Sequence, residues 1–459
     1  PDTVTAVNAE AFSGCTALSS VTLPTGLTAI NAMTFQNCSS LKNINIPVTL
    51  ASIGSNAFQN TDLTEITFPT PLTRLSGNAF TSCSSLRTIE FTGSAPSINA
   101  TTFTNVLATV YYPAEDVSWN ASTMLNYGGN LSWGAPPVAS GVSGSFTWNL
   151  DSNGKLFIAG TGVMPDYLNG TNPPWFAYKS SIVEVQVEGI TRIGAAAFSN
   201  CTNLKKVTFS PYITYIGKEA FAYNYSLQSV ELPAALVELS GKSFAACTSL
   251  TEIVIPKNVS RGPYGYGAPF RDCTNLKKVT FEQGMKVIPS FILSECYVEE
   301  VVIPDSVTNI DNAAFWKAGY LKKVVMPDSV NRIGTEAFLE CVNLQTIHLP
   351  KSLSRLEMNA FKNCTSLNNI TIPKSLSYAL GPFDNCSGLK NVTFEEGINT
   401  IIPSLFDNCT GLESITLPED IVGIDAYAFD GCTLLKKAVI GNGVLSIDQR
   451  AFQSCPALS

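Results

Sequence analysis

The sequence predicts an α/β repeat: a solenoid of stacked coils in two blocks, with a parallel β-sheet on one face and a small β-rich capping module between the blocks. Three observations carry this. A phrase close to Ile-Gly-x-x-Ala-Phe-x-x-Cys-x-x-Leu-x-x-Val-x-Leu-Pro recurs every 22 or 23 residues, most cleanly over 333–350 and 53–69. All 13 cysteines fall at the same point of that phrase. Its phenylalanine forms a column: Phe12, Phe35, Phe58, Phe80 and Phe103, then, after a gap, twelve positions from Phe198 to Phe452, with Leu293 replacing one ring. A fixed period of this length marks coils that bury their apolar faces only against their neighbours.

Each element of the phrase has its own reason. The segment after the cysteine reads as a short strand: in Lys206-Val207-Thr208-Phe209 apolar and polar side chains alternate, so two face the core and two face out. The proline that follows withholds its N–H and ends the strand. The glycine of Ile-Gly (Gly54, Gly194, Gly217, Gly334) marks a turn and is expected at positive φ. Ala-Phe-x-x-Cys is too short for a long helix and predicts a helical or 3₁₀ turn across the back. One coil buries about five large apolar side chains, worth about 1.5–3 kcal/mol each. Ordering its backbone costs about 1–2 kcal/mol per residue. A lone coil therefore loses, and stacking closes the gap.

The gap in the column gives the domain organisation. Residues 1–106 form the first repeat block, about five coils, and 107–134 its C-terminal cap, with a final strand at 108–112, a Gly128-Gly129 stop and Trp133. A Pro/Gly/Ser/Ala linker spans 135–141. Residues 142–185 are a β-hairpin module: Phe146 to Leu150, the turn Asp151-Ser152-Asn153-Gly154, then Lys155 to Ile158. With Pro173-Pro174-Trp175-Phe176 this module caps the second block, 186–459, about twelve coils. The chain opens and closes in mid-coil, so an export signal and a surface anchor are expected outside it.

Composition narrows the function. Of 459 residues 45% are hydrophobic and 14% charged, with a net charge of −8. Mild acidity argues against nucleic acid, which requires a basic footprint. No apolar run is long enough to span a membrane, so no membrane insertion is expected in this stretch.

The full phrase, as in Ile193-Gly194-Ala195-Ala196-Ala197-Phe198-Ser199-Asn200-Cys201-Thr202-Asn203-Leu204-Lys205-Lys206-Val207-Thr208-Phe209, resembles the BspA-like leucine-rich repeat proteins, a bacterial surface family. The resemblance covers nearly all of the chain outside 107–185. It implies a leucine-rich-repeat solenoid, export, cell-surface display, and adhesion to a host matrix or cell-surface protein, a glycan or other cells. It brings no catalytic residue and no cofactor. Coils with Thr61, Val106, Asn224 or Ala318 in place of the cysteine depart from the pattern, as does the insertion before Phe270.

The residues themselves point the same way. Stacked coils lie about 5 Å apart, within reach of a disulfide. Yet the cysteine count is odd, the column accepts Thr, Val, Asn and Ala, and no Cys-x-x-Cys pair exists. The cysteines read as buried free thiols that pack as small apolar groups. His348 is the sole histidine and sits at an outward strand position, so neither a zinc site nor a Ser-His or Cys-His nucleophile is expected. The pairs Glu299-Glu300 and Glu395-Glu396 suit solvated turns or strand ends better than a glycosidase, because adjacent strand residues face opposite ways. Asp151 to Gly154 lacks the rest of a calcium loop, and the glycines of 262–267 lack phosphate-loop spacing. The Asn-Cys-Ser/Thr sequons at Asn37, Asn200, Asn363, Asn385 and Asn408 are generated by the repeat itself.

The outward face of the sheet supplies the candidate binding residues. Glu252, Lys278, Glu300 and Lys323 alternate in sign on four consecutive coils, beside a row of Val254, Thr280, Val302, Val325 and His348. Ladder pairs of this kind are worth about 0.2–1 kcal/mol each. The stripe reads either as a self-neutralising surface or as a docking face with an apolar centre. The loop 261–269, with Tyr264 and Tyr266 between glycines, is a second candidate contact. A non-enzymatic binding protein is expected; the alternatives are a stalk that displays another domain and, well behind, a glycan-directed enzyme.

Overall fold

The computed structural model describes residues 3–134, 137–168, 170–262 and 267–459. The chain divides into two compact units, Pro1–Val138 and Ala139–Ser459, each with its own core. Both are parallel β-solenoids. The outward-inward-outward strand pattern sets the front face. In Lys323–Val325 the central Val324 is buried and its neighbours are exposed, and Lys323 lies in parallel register with Thr346 of the next coil.

A second strand in most coils carries the isoleucine of Ile-Gly, or a leucine or alanine in its place, and builds a second parallel sheet. Ala29–Ile30, Ser52–Ile53, Arg74–Leu75 and Ser97–Ile98 follow one another in unit 1. Val287–Ile288 through Tyr378–Ala379 make the five-stranded counterpart in unit 2. In unit 2 the strand Glu184–Ile193 spans both faces, pairing with Lys206–Thr208 at its start and Tyr215–Ile216 at its end. Ahead of it, Ala139–Ser143, Phe146–Leu150 and Lys155–Val163 form an antiparallel meander that joins Glu184–Ile193 in parallel. In unit 1, Asn130–Gly134 pairs in parallel with Leu107–Tyr111, and Trp119 and Trp133 pack on Phe91.

The back of the coil is not helical; among the described residues the sole helix is the 3₁₀ turn Phe176–Tyr178. Two fused β-turns replace the expected helical turn. Gln36 and Cys38 donate their N–H groups to the carbonyls of Met33 and Phe35, three residues back. The alternate N–H groups of Met33, Phe35 and Asn37 donate across to Ser55, Ala57 and Gln59 of the next coil at 2.8–2.9 Å. An α-helix would require those donors for itself. The turns instead place residues four apart in the left-handed region, Met33 at φ 54° and Asn37 at φ 60°, and this repeats at Glu336 and Glu340 and at Asn359 and Asn363. Asparagine tolerates that conformation best among residues with a side chain, which explains its frequency there.

The glycines of Ile-Gly correct a second expectation. Gly54, Gly194, Gly217 and Gly334 do not have positive φ. Glycine is required by close approach: a Cβ at Gly217 would lie 2.5 Å from the Ala195 nitrogen, and one at Gly194 1.7 Å from the Pro165 oxygen. The core is a file of rings. Phe315, Phe338 and Phe361 stack at 4.8 and 4.9 Å with interplanar angles of 4° and 2°. Trp175 heads the file in unit 2, stacked on Phe198 at 5.4 Å and 10°.

Candidate binding face

The cysteine column is free thiol throughout, buried except for the exposed Cys15 and the half-buried Cys455. These thiols do more than fill space. Cys364 donates its S–H to the Phe338 carbonyl of the preceding coil at 3.2 Å, and Cys83 does the same to Phe58 at 3.0 Å. That carbonyl already accepts one N–H within its own coil, Cys341 to Phe338 at 3.2 Å, so the thiol occupies its second lone pair. Asn224 replaces the thiol with an amide that donates to the Phe198 carbonyl of the preceding coil and to Phe221 of its own, whereas the Thr61 hydroxyl donates to the Phe58 carbonyl within its own coil. Burial pushes the Cys201 and Cys386 thiols up to about 12. They stay protonated and unreactive as nucleophiles.

The front sheet brings most of the sequence-predicted residues to one surface, in two separate ladders. Glu252 pairs in register with Lys278, their charged groups 3.0 Å apart, and Val254 lies opposite Thr280. Glu300 pairs with Lys323 at 2.7 Å and Val302 with Val325. Lys278–Phe281 and Glu300–Val302 belong to different sheets, so the alternating charge stripe is interrupted between Lys278 and Glu300. Val254, Val302 and Val325 are 54%, 57% and 40% exposed, large values for aliphatic side chains. His348 points outward, with its Nε2 3.8 Å from Asp328 Oδ1. Tyr264 and Tyr266 lie outside the described residues.

Two shallow grooves run over these residues. One, of about 500 Å³, is bounded by Lys323, Val325, Met326, Thr346, His348 and Thr371. The other crosses the interruption, between Lys278 and Thr280 on one side and Glu300, Val302 and Pro304 on the other. Sequence reasoning missed the third ion pair beside the stripe, Lys322 to Glu299 at 2.8 Å. It also missed the part of Pro304, which lines the second groove. The signal was present in both cases, as a charge one position earlier and a proline that follows the strand in many of the coils. In the second sheet, Arg332 and Arg355 stand side by side and both bond Glu357 Oε1 at 3.2 Å, closing that surface on itself.

Catalytic constellations fare differently. Asp151 accepts the N–H groups of Asn153 and Lys155 and closes a hairpin turn, and Asp166 is bound by Arg192 at 2.8 Å. No group of three or more His, Cys, Asp or Glu among the described residues is arranged to hold a metal ion. No helix of the described residues is long and apolar enough to cross a membrane.

A family model described as a BspA type leucine rich repeat region, in 6 copies, matches residues 1–115, 172–266, 266–368 and 359–459. The chain belongs to the BspA-type leucine-rich repeat family. A solved structure agrees on the fold. A leucine-rich repeat protein from Bacteroides ovatus is 23% identical, covering 70% of this chain and 93% of its own, with a TM-score of 0.51. A leucine-rich repeat protein from Eubacterium ventriosum is 28% identical over 69% of this chain and 95% of its own, with a TM-score of 0.39. A leucine rich cell surface protein from Faecalibacterium prausnitzii is 26% identical over 71% and 94%, with a TM-score of 0.33. Comparison with curated proteins gave no match. The matched family and the Bacteroides ovatus protein are leucine-rich repeat proteins, not an enzyme family.

Proposed function

We propose that this chain is a non-enzymatic binding protein of the bacterial exterior, attaching to a host matrix or surface protein, a glycan or another cell through its front sheet. One observation carries the reading: Val302 and Val325 stand side by side in register, both exposed, with charged pairs alongside and grooves on either hand. An exposed apolar centre rimmed by polar groups is the anatomy of a protein contact. A broad face of repeated coils gains affinity by area and repetition rather than by a deep pocket. On this proposal 107–134 and 142–185 serve as covers for the two repeat blocks, and the linker expected over 135–141 ends before Ala139, because Ala139–Ser143 is already a strand of the second cover.

The test is direct binding to a panel of matrix proteins, mucins and glycans, with the chain immobilised. Lys278→Ala, Val302→Ala and Lys323→Ala together are expected to abolish the strongest interaction while circular dichroism stays unchanged. Binding that survives the triple variant sinks the front-sheet assignment. A spacer role is the second reading, favoured by the ion pairs that neutralise the face; a panel with no ligand at all supports it.

A further inference from the structure

Three consecutive coils of unit 2 place an aspartate at the same point, just after the core ring: Asp384, Asp407 and Asp430 follow Phe383, Phe406 and Phe429. The turn ladder fixes their alignment, since the Asn385 N–H donates to the Asp407 carbonyl and the Asn408 N–H to the Asp430 carbonyl, at 3.1 and 2.8 Å. The equivalent residues of the three preceding coils are Trp316, Leu339 and Lys362. Among the described residues one cation pairs with the column. Lys362 Nζ lies 2.6 Å from Asp384 Oδ2, and the Asn408 amide donates to Asp384 Oδ1 at 3.1 Å. Among the described residues no ion pair reaches Asp407 or Asp430. Asp407 is half-buried between two like charges, with the Lys362 ammonium and the Cys432 thiol as its other titratable neighbours. The core rings stack less closely here, at 5.9 and 5.6 Å, than the 4.8 and 4.9 Å of the coils before. Asp425 and Asp448 repeat the arrangement on the neighbouring edge, each donating its N–H to the isoleucine carbonyl one coil back.

We propose that coils 383–432 are an acid-tightened segment, in which stacked carboxyl groups take up protons and hold successive coils together more firmly as the medium acidifies. Carboxylates held in file cannot all ionise without repulsion, and a proton taken up by the middle one removes it. Desolvation, then the Asp384 and Asp430 charges, raises Asp407 from 3.8 to about 6. A carboxyl raised on folding contributes stability that is complete below its unfolded value. That contribution is lost as pH rises through the folded one. The window therefore runs from about 4 to about 6, within reach of a mildly acidic surface.

Hydrogen exchange of the full chain, read by mass spectrometry in EDTA between pH 7.5 and 4.5 and corrected for intrinsic rates, tests this. Peptides over 383–432 are expected to gain up to about tenfold protection relative to those over 315–361, a partly exposed group keeping only part of its nominal shift. Asp407→Asn and, separately, Asp430→Asn should each flatten the response and raise protection at pH 7.5. A response retained in both variants, or shared equally by coils 315–361, overturns the proposal.

Discussion

The smallest features of the coil have the sharpest physical requirements. Cys364 is not an interchangeable small apolar residue, because its S–H serves a carbonyl of the coil before. Cys364→Ala is therefore expected to cost about 1–2 kcal/mol, from a lost hydrogen bond and a small void. Cys364→Asn, which copies the natural Asn224 and its bond to the preceding coil, should cost less, and urea denaturation of the two variants gives the order. Equal losses would show that packing alone is at stake. Gly217 has the opposite problem. Its absent Cβ is what lets the Ala195 backbone approach, so Gly217→Ala should destabilise by about 1–3 kcal/mol despite the higher intrinsic propensity of alanine. A neutral result in the same assay would mean that the coils slide apart at little cost.

At the scale of the element, the ladder of fused turns decides the fold's character. Cysteine spacing and the Ala-Phe pair identified the segment, yet nothing within one copy of the phrase tells a helical turn from two β-turns. The distinction comes from N–H groups such as that of Phe35, which find their acceptors in the next coil. Asn363, at φ 61°, carries this conformation. Asn363→Val should cost about 1–2 kcal/mol and Asn363→Gly almost nothing, a contrast that thermal melts will resolve. If the two variants melt together, the left-handed turn is not a constraint. The front strands were easier to read, because period-two alternation in Lys278–Phe281 and Glu300–Val302 marks the buried face directly. Whether Lys278 would meet Glu300 was not readable: strand pairing depends on how two coils seat, and here the sheet ends between them.

For the whole molecule, stability is a sum of coils and their interfaces, so effects stay local and propagate through neighbours. The two cores share no residue. Residues 1–138 and 139–459 expressed apart are therefore expected to reproduce the thermal transitions of the intact chain. A large loss of cooperativity or of folded signal in either fragment would reveal dependence between them.

The sequence by itself determined the period, the ring file and the front strands, because each depends on a pattern repeated from copy to copy. The tertiary structure alone decided the second sheet, the fused turns, the hydrogen-bonding duty of the thiols and the break in the charge stripe. All four are relations between one coil and the next. An isolated copy of the phrase contains the donors and acceptors, but only stacking selects which of them meet.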